Sequence, residues 1–142
     1  MEAFPRRPGY AKRYSPTLER RESEMQPKLT KSERRHVQEL AGLAWERQLR
    51  DEIGTVGDAI REMEADKLCP HEVNDIIHRY HNGASRDLYM RYSDSLPWFA
   101  LCRAYFDGVI TDDDLSHTSD NLRSGIATSA DSFNQLHRIE DD

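Results

Sequence analysis

The sequence predicts an all-α protein, a small bundle of four to five helices in which one long N-terminal helix precedes helical hairpins, with disordered tails at both ends. Apolar residues recur at intervals of three and four in several segments, which is typical of amphipathic helices. No segment alternates apolar and polar residues over a useful length, so strands are not expected. The 142 residues fit one domain. We expect it at residues 30–115, between a disordered basic arm (1–29) and a polar, acidic, mostly disordered tail (116–142).

Charge is distributed unevenly along the chain, whose net charge is −6. Residues 1–29 hold seven basic and four acidic residues and four of the six prolines, without hydrophobic periodicity, as disordered segments do. The rest of the chain is acidic, so its field repels the phosphates of nucleic acids. A nucleic-acid-associated regulator, one alternative function, would therefore use the arm, where aromatic residues are interleaved with basic ones. The basic candidates there are Arg6, Arg7, Lys12 and Arg13.

A long helix is predicted after residue 30. Thr30 or Ser32 can cap its N-terminus, and Glu33 completes a capping box with Thr30. Two glycines near its middle each cost about 1 kcal/mol relative to alanine, so the segment is either one helix or two helices hinged near residues 54–57. A long helix with a drifting apolar stripe often pairs with a second copy, which makes a homodimer a hypothesis. The stripe consists of Val37, Leu40, Ala44, Ile53, Val56, Ile60 and Met63.

The stretch "CPHEVNDIIHRYHNG" carries the signals of a second helix. Cys69 stands at the N-cap, Pro70 at the first helical position and Glu72 at the third. Gly83 after His-Asn is expected to end this helix in the left-handed conformation. A short helix over residues 86–92, capped by Ser85, is expected to follow.

The most apolar helix is predicted in "SLPWFALCRAYFDG", with Pro97 near its start and Gly108 past its end. Its apolar residues follow helical spacing and form the expected centre of the core. They are Trp98, Leu101, Cys102, Tyr105 and Phe106. One more helix, one or two turns long, is predicted from an N-cap at Thr111 with Asp114 three residues later. Beyond Leu115 we expect either disorder or a marginal helix around residues 133–139.

The second helix also contains the densest group of metal-ligating residue types. His71, Asp75, His78 and His81 share its polar face at i, i+3 and i, i+4 spacings, which a metal site can use. An enzyme or sensor that uses a divalent transition metal is therefore an alternative function. The opposing interpretation is a solvated helix face, since Asp75 also has a routine i+4 partner in Arg79.

The sequence favours a non-catalytic role. It contains no phosphate-binding loop, dinucleotide fingerprint, nucleophile elbow or Cys/His zinc framework. No run of 18 apolar residues and no secretory signal is present, and the two separated cysteines suit reduced thiols in the cytoplasm. We expect a cytoplasmic interaction or regulatory protein that needs no cofactor and binds a protein partner through an exposed polar and aromatic helical surface. Its candidate residues are Arg79, Arg86, Tyr89, Arg91 and Tyr92, since Tyr and Arg are frequent in binding hot spots.

Overall fold

The computed structural model describes residues 27–140, apart from the side chains of Phe133 and residues 136–140. Helices and turns make up this part of the chain, and no strand occurs in it, so the all-α prediction is confirmed. None of its helices is both long and apolar enough to cross a membrane. The elements are α1 (Lys31–Glu64), α2 (Pro70–Tyr80), a π-helical turn (His81–Ser85), α3 (Arg86–Ser93), α4 (Pro97–Phe106) and α5 (Asp120–Glu140).

Helix α1 is continuous over 34 residues, so no hinge lies at residues 54–57. Its N-terminus has the predicted cap, because the Glu33 backbone N–H donates to Thr30 Oγ1 at 3.1 Å. At its C-terminus Asp66 adopts a left-handed conformation (φ 58°), and the next backbone N–H, of Lys67, donates to the Glu62 carbonyl at 2.8 Å. That bond satisfies a carbonyl that the helix end would otherwise leave unpaired.

Helices α2 and α3 form one rod joined by the π-helical turn, and this corrects the predicted break at "HNG". Gly83 lies inside the turn, and its φ is not positive. Ser85 has helical dihedral angles and makes no side-chain cap bond. Gly83 does not end the helix here, because Leu88 in the next turns is buried and Tyr92 packs against the core. Tertiary packing of α3 therefore outweighs the local stop signal.

Helix α4 is the centre of the core, as its composition predicts. Trp98, Leu101 and Cys102 are at most 2% exposed, and burial raises the pKa of the Cys102 thiol to about 11. Tyr105 packs half-buried against this cluster, and Phe106 is also half-buried. The core combines α1, α4, the following turns and α5. Its buried members are Val37, Leu40, Ala41, Ala44, Trp98, Leu101, Cys102, Ala104, Ile110, Leu115, Leu122 and Ile126.

Successive turns, not the predicted helix, follow α4. Gly108 takes the left-handed position (φ 79°) past the helix end. Thr111 and Asp114 do form the predicted reciprocal cap, since the Thr111 N–H donates to the Asp114 carboxylate at 2.8 Å. The segment then continues through turns to residue 118 and buries Leu115.

Arg47 of α1 holds these turns in place. Its guanidinium donates two hydrogen bonds to the Asp114 carboxylate, at 2.7 and 2.8 Å, and a third to the Val109 carbonyl at 2.9 Å. The paired geometry makes this a strong type of ion pair. The Arg47 guanidinium and Thr111 hold the pKa of the Asp114 carboxyl well below its ordinary range.

The structure differs most from the prediction after residue 115, where a mostly disordered tail was expected. Helix α5 occupies residues 120–140, and Leu122, Ile126 and Ala130 on one of its faces are buried. Ser119 caps it by accepting from the Leu122 N–H at 3.2 Å. Burial against α4 compensates for a sequence rich in Ser, Thr and Asp, which weakly favours helix by itself. The helical body therefore extends well beyond residue 115.

The body also begins before residue 30. Leu29, within the predicted disordered arm, packs against the core, and Pro27 lies beside Gly125. Residues 1–26 and 141–142 lie outside the described part of the chain, so the arm candidates Arg6, Arg7, Lys12 and Arg13 do as well.

Gly125→Ala should destabilise the protein, although alanine is the better helix former. A Cβ at this position of α5 would lie 2.9 Å from the ring of the buried Trp98. Overpacking of a rigid core costs about 1–3 kcal/mol, which exceeds the gain of about 1 kcal/mol in helix propensity. Urea unfolding should show a net loss of up to about 2 kcal/mol. Gly54→Ala is the control, since a Cβ there meets no atom within 4 Å; a stabilised Gly125→Ala would contradict this packing.

Asp114→Asn should lower the melting temperature near neutral pH. It should also make the melting temperature change less as the pH falls. Because the pKa of Asp114 is depressed in the folded state, its contribution is present above the unfolded-state pKa of about 4 and is lost as pH falls through the folded value. Thermal unfolding between neutral pH and strong acid should therefore bring the wild type and the variant together at low pH. Asp113→Asn, a change at the exposed neighbouring residue, should leave the profile unchanged.

Candidate protein-binding surface

The middle of α1 is less covered than its two ends. Ala44 is buried by the core and Ala59 is buried near α2, but none of the residues between them on α1 is fully buried. Ile53 is 53% exposed in this interval. A shallow groove of about 640 Å³ runs along this face. We call its lining the α1 patch: Gly42, Trp45, Glu46, Leu49, Arg50, Ile53 and Gly54.

Aromatic rings of α3 support one side of the α1 patch. The Trp45 ring stacks on Tyr92 with a centroid distance of 5.8 Å and an interplanar angle of 8°. Tyr89 meets the same indole edge-on at 6.2 Å and 67°. Both arrangements suit the quadrupoles of aromatic rings. The indole is therefore held in place by the rings of its own chain.

Of two polar groups behind the patch, the Tyr92 hydroxyl has a hydrogen-bond partner and the Trp45 indole N–H has none within the described residues. The Tyr92 hydroxyl donates to Gln48 Oε1, and burial raises the pKa of this phenol. Trp45 Nε1, in contrast, is buried and has no hydrogen-bond partner within the described residues. An unpaired buried donor costs about 1–3 kcal/mol, so the position of Trp45 is maintained by packing and stacking rather than by hydrogen bonding.

The outer rim of the α1 patch carries one charge of each sign. Arg50 Nη2 lies 3.3 Å from Glu46 Oε1, four residues earlier on the helix, and both side chains are largely exposed. An exposed i, i+4 pair contributes little to stability. These two groups are therefore free to interact with another molecule at little cost to the fold.

The five residues predicted as a partner-binding surface do not form one surface. Tyr89 and Tyr92 both contact Trp45, but Tyr92 is half-buried while Tyr89 is 43% exposed. Arg86 is exposed on α3. The helical geometry of α2 and α3 turns the remaining two arginines toward different grooves.

Arg79 lines a groove of about 510 Å³ between α1 and α2, which also contains Glu52, Asp58 and Glu62. Arg91 lines a groove between α3 and α4. Its guanidinium and that of Arg103 lie 3.9 and 3.8 Å from the Asp107 carboxylate. Only Tyr89 and Tyr92 among the five predicted residues therefore belong to the surroundings of the α1 patch.

The four metal-ligating candidates lie on the solvent side of the rod. His71, Asp75, His78 and His81 are all exposed, whereas Val73 is buried and Ile76 and Tyr80 line the groove toward α1. Among the side chains that the structure describes, no three from His, Cys, Asp or Glu are grouped as a metal ion requires. Cys69 is exposed at the start of α2, and its backbone N–H donates to Glu72 at 2.8 Å.

Sequence periodicity does not reveal the α1 patch, because the patch residues interrupt the expected apolar stripe. Trp45 and Leu49 fit the regular spacing of the core face poorly, and Ile53 was assigned to that face. A signal was nevertheless present: Gly42, Leu49 and Ile53 fall within about 40° of one another on a helix that turns 100° per residue. This second stripe marks a face that the fold leaves open.

No protein-family model matches this chain, and neither a curated protein nor a solved structure does. Function is therefore inferred from the surface itself.

Trp45→Phe should be tolerated far better than Trp45→Ala. Phenylalanine keeps a ring beside Tyr92 and removes the unpaired indole N–H, so we expect the free energy of unfolding to stay within about 1 kcal/mol of the wild type. Alanine removes the partly buried ring and should cost about 2–4 kcal/mol. Urea unfolding followed by circular dichroism measures both. Equal losses in the two variants would show that stacking does not hold this residue.

Proposed function

We propose that this chain is a non-catalytic protein-interaction module that binds a protein partner through the α1 patch. The observation that carries the proposal is the exposed apolar stripe on α1, in which Ile53 stands 53% exposed beside Leu49 and the supported ring of Trp45. An apolar groove with a charged rim is a common form of interaction site. Only Tyr89 and Tyr92 of the five sequence-predicted residues lie beside the α1 patch. We therefore place the proposed binding surface on α1 rather than on α2 and α3.

The composition of the patch supports recognition of a helix. Its centre is apolar and aromatic and its rim is charged, as in protein interfaces. Trp45 and Tyr89 belong to residue types that dominate binding energy. A shallow groove along one helix suits a second amphipathic helix that inserts apolar side chains at i, i+3 and i+4 spacing.

The aromatic side chains beside the patch are already ordered, which helps a small surface to bind a partner with useful affinity. The stack of Trp45 on Tyr92 fixes the indole, and the Tyr92 hydroxyl is tied to Gln48. Side chains that are already ordered lose less entropy on binding, about 0.5–1.5 kcal/mol less for each flexible group. A partner therefore meets a largely preformed surface.

A non-catalytic, cytoplasmic role is supported by how the titratable groups are used. The depressed pKa of Asp114 comes from the ion pair that holds the turns, and the raised pKa of Cys102 comes from its burial in the core. Such shifts have structural causes, whereas catalytic groups are tuned inside clefts. Both cysteines are free thiols, which suits a reducing compartment.

Photo-crosslinking from inside the patch tests this proposal. The full chain, with p-benzoylphenylalanine replacing Ile53, should give discrete covalent adducts in native lysate after irradiation. The matched control replaces Asp51, an exposed residue about 200° away around α1. Adducts of either another protein or a second copy support the proposal. Equal adduct yields at positions 53 and 51 would overturn it.

A further inference from the structure

We infer that the occupant of the α1 patch is a second copy of this chain, with the two α1 helices packed antiparallel. This inference rests on the proposed function, because it names the partner of the same site. It is carried by a match of shape and a match of charge within the patch.

The match of shape begins with Gly42. This exposed glycine lies in the interior of α1, where glycine weakens a helix relative to alanine. A Cβ added to Gly42 would meet nothing within 4 Å, so the isolated fold does not require glycine there. A missing side chain on an exposed helix face leaves a depression that another helix can fill closely. Ile53 supplies the complementary projection on the same face, eleven residues later.

An antiparallel pair brings these two features together twice. With a two-fold axis between residues 47 and 48, Ile53 of each copy lies opposite Gly42 of the other, and Leu49 lies opposite Glu46. A two-fold interface uses one patch on both copies, so each projection finds its depression without any further surface. A parallel pair would instead place Ile53 against Ile53 and leave the depression at Gly42 empty.

The match of charge follows from the same axis. Glu46 of one copy lies within one residue of Arg50 of the other, an offset of about 1.5 Å along the helix. The rim therefore forms two opposite-charge contacts across the interface. A rim with one charge of each sign on the same patch favours a partner with the reversed arrangement, which an antiparallel copy provides.

The limited length of the patch sets the strength of the association. Two helices that touch over about three turns bury less than the roughly 1,600 Å² of a standard interface. We therefore expect a dimer whose population rises across the micromolar range. Wild-type protein of 16.5 kDa should approach twice that mass at high concentration.

Sedimentation velocity of the full chain over a range of concentrations tests the dimer. Ile53→Lys should raise the dissociation constant at least about tenfold, the effect of roughly 1.4 kcal/mol. Asp51→Asn makes the same change of charge outside the patch and should have no effect. Because Ile53 is exposed, circular dichroism should show an unchanged fold. A wild-type chain that remains monomeric at every concentration would overturn the inference.

Charge exchange tests the orientation. Glu46→Arg should weaken the dimer by placing a second guanidinium near Arg50 of the other copy, and the double variant Glu46→Arg with Arg50→Glu should restore it. The double variant keeps one charge of each sign on the rim of α1, so the restoration reports the contact between copies. A dimer that is indifferent to Glu46→Arg would overturn the antiparallel register. Adducts at position 53 to other proteins, combined with a monomeric purified chain, would leave the proposed function standing and remove the second copy as its partner.

Discussion

The ion pair between Arg47 and Asp114 is the constraint on which the arrangement of the helices depends. It joins the middle of α1 to the turns after α4, and the same guanidinium also satisfies the Val109 carbonyl. Ile110 and Leu115, on either side of the fixed segment, are both buried. These turns direct the chain into α5, whose buried face completes the core. One guanidinium thus anchors to α1 a segment whose own backbone hydrogen bonds form successive turns rather than a helix.

The same arrangement explains why α1 keeps an open face. Helix α4 packs along its N-terminal half, α5 reaches its first turn through the hydrogen bond from Asn121 to Glu33, and α2 covers the region around Ala59. The interval between them is supported from one side by Tyr89 and Tyr92, and Arg47 points from it toward the turns. The remaining side, with Leu49 and Ile53, has no helix packed on it within the described residues. The α1 patch is thus a consequence of how the four shorter helices are placed along one long helix.

Local signals predicted the elements that are fixed by local chemistry. The Thr30 cap of α1, the proline at the start of α2 and the apolar content of α4 all depend on neighbours in sequence. The exposed histidine face of α2 follows from helical periodicity in the same way. Failures occurred where distant contacts compete with local preference. Gly83 does not end its helix because residues beyond it pack on α1 and the core, and Asp114 forms a cap but no lasting helix.

The sequence by itself determined an all-α chain, the starts of α1 and α2 and the identity of the central apolar helix, because capping and periodicity act over a few residues. Only the tertiary structure decided that residues 120–140 form a helix, since a polar segment gains order by burying Leu122 and Ile126 in a surface built by α1 and α4. It also decided which apolar residues of α1 stay outside. Periodicity assigns Ile53 to a stripe, but the exposure of that stripe depends on where the other helices end.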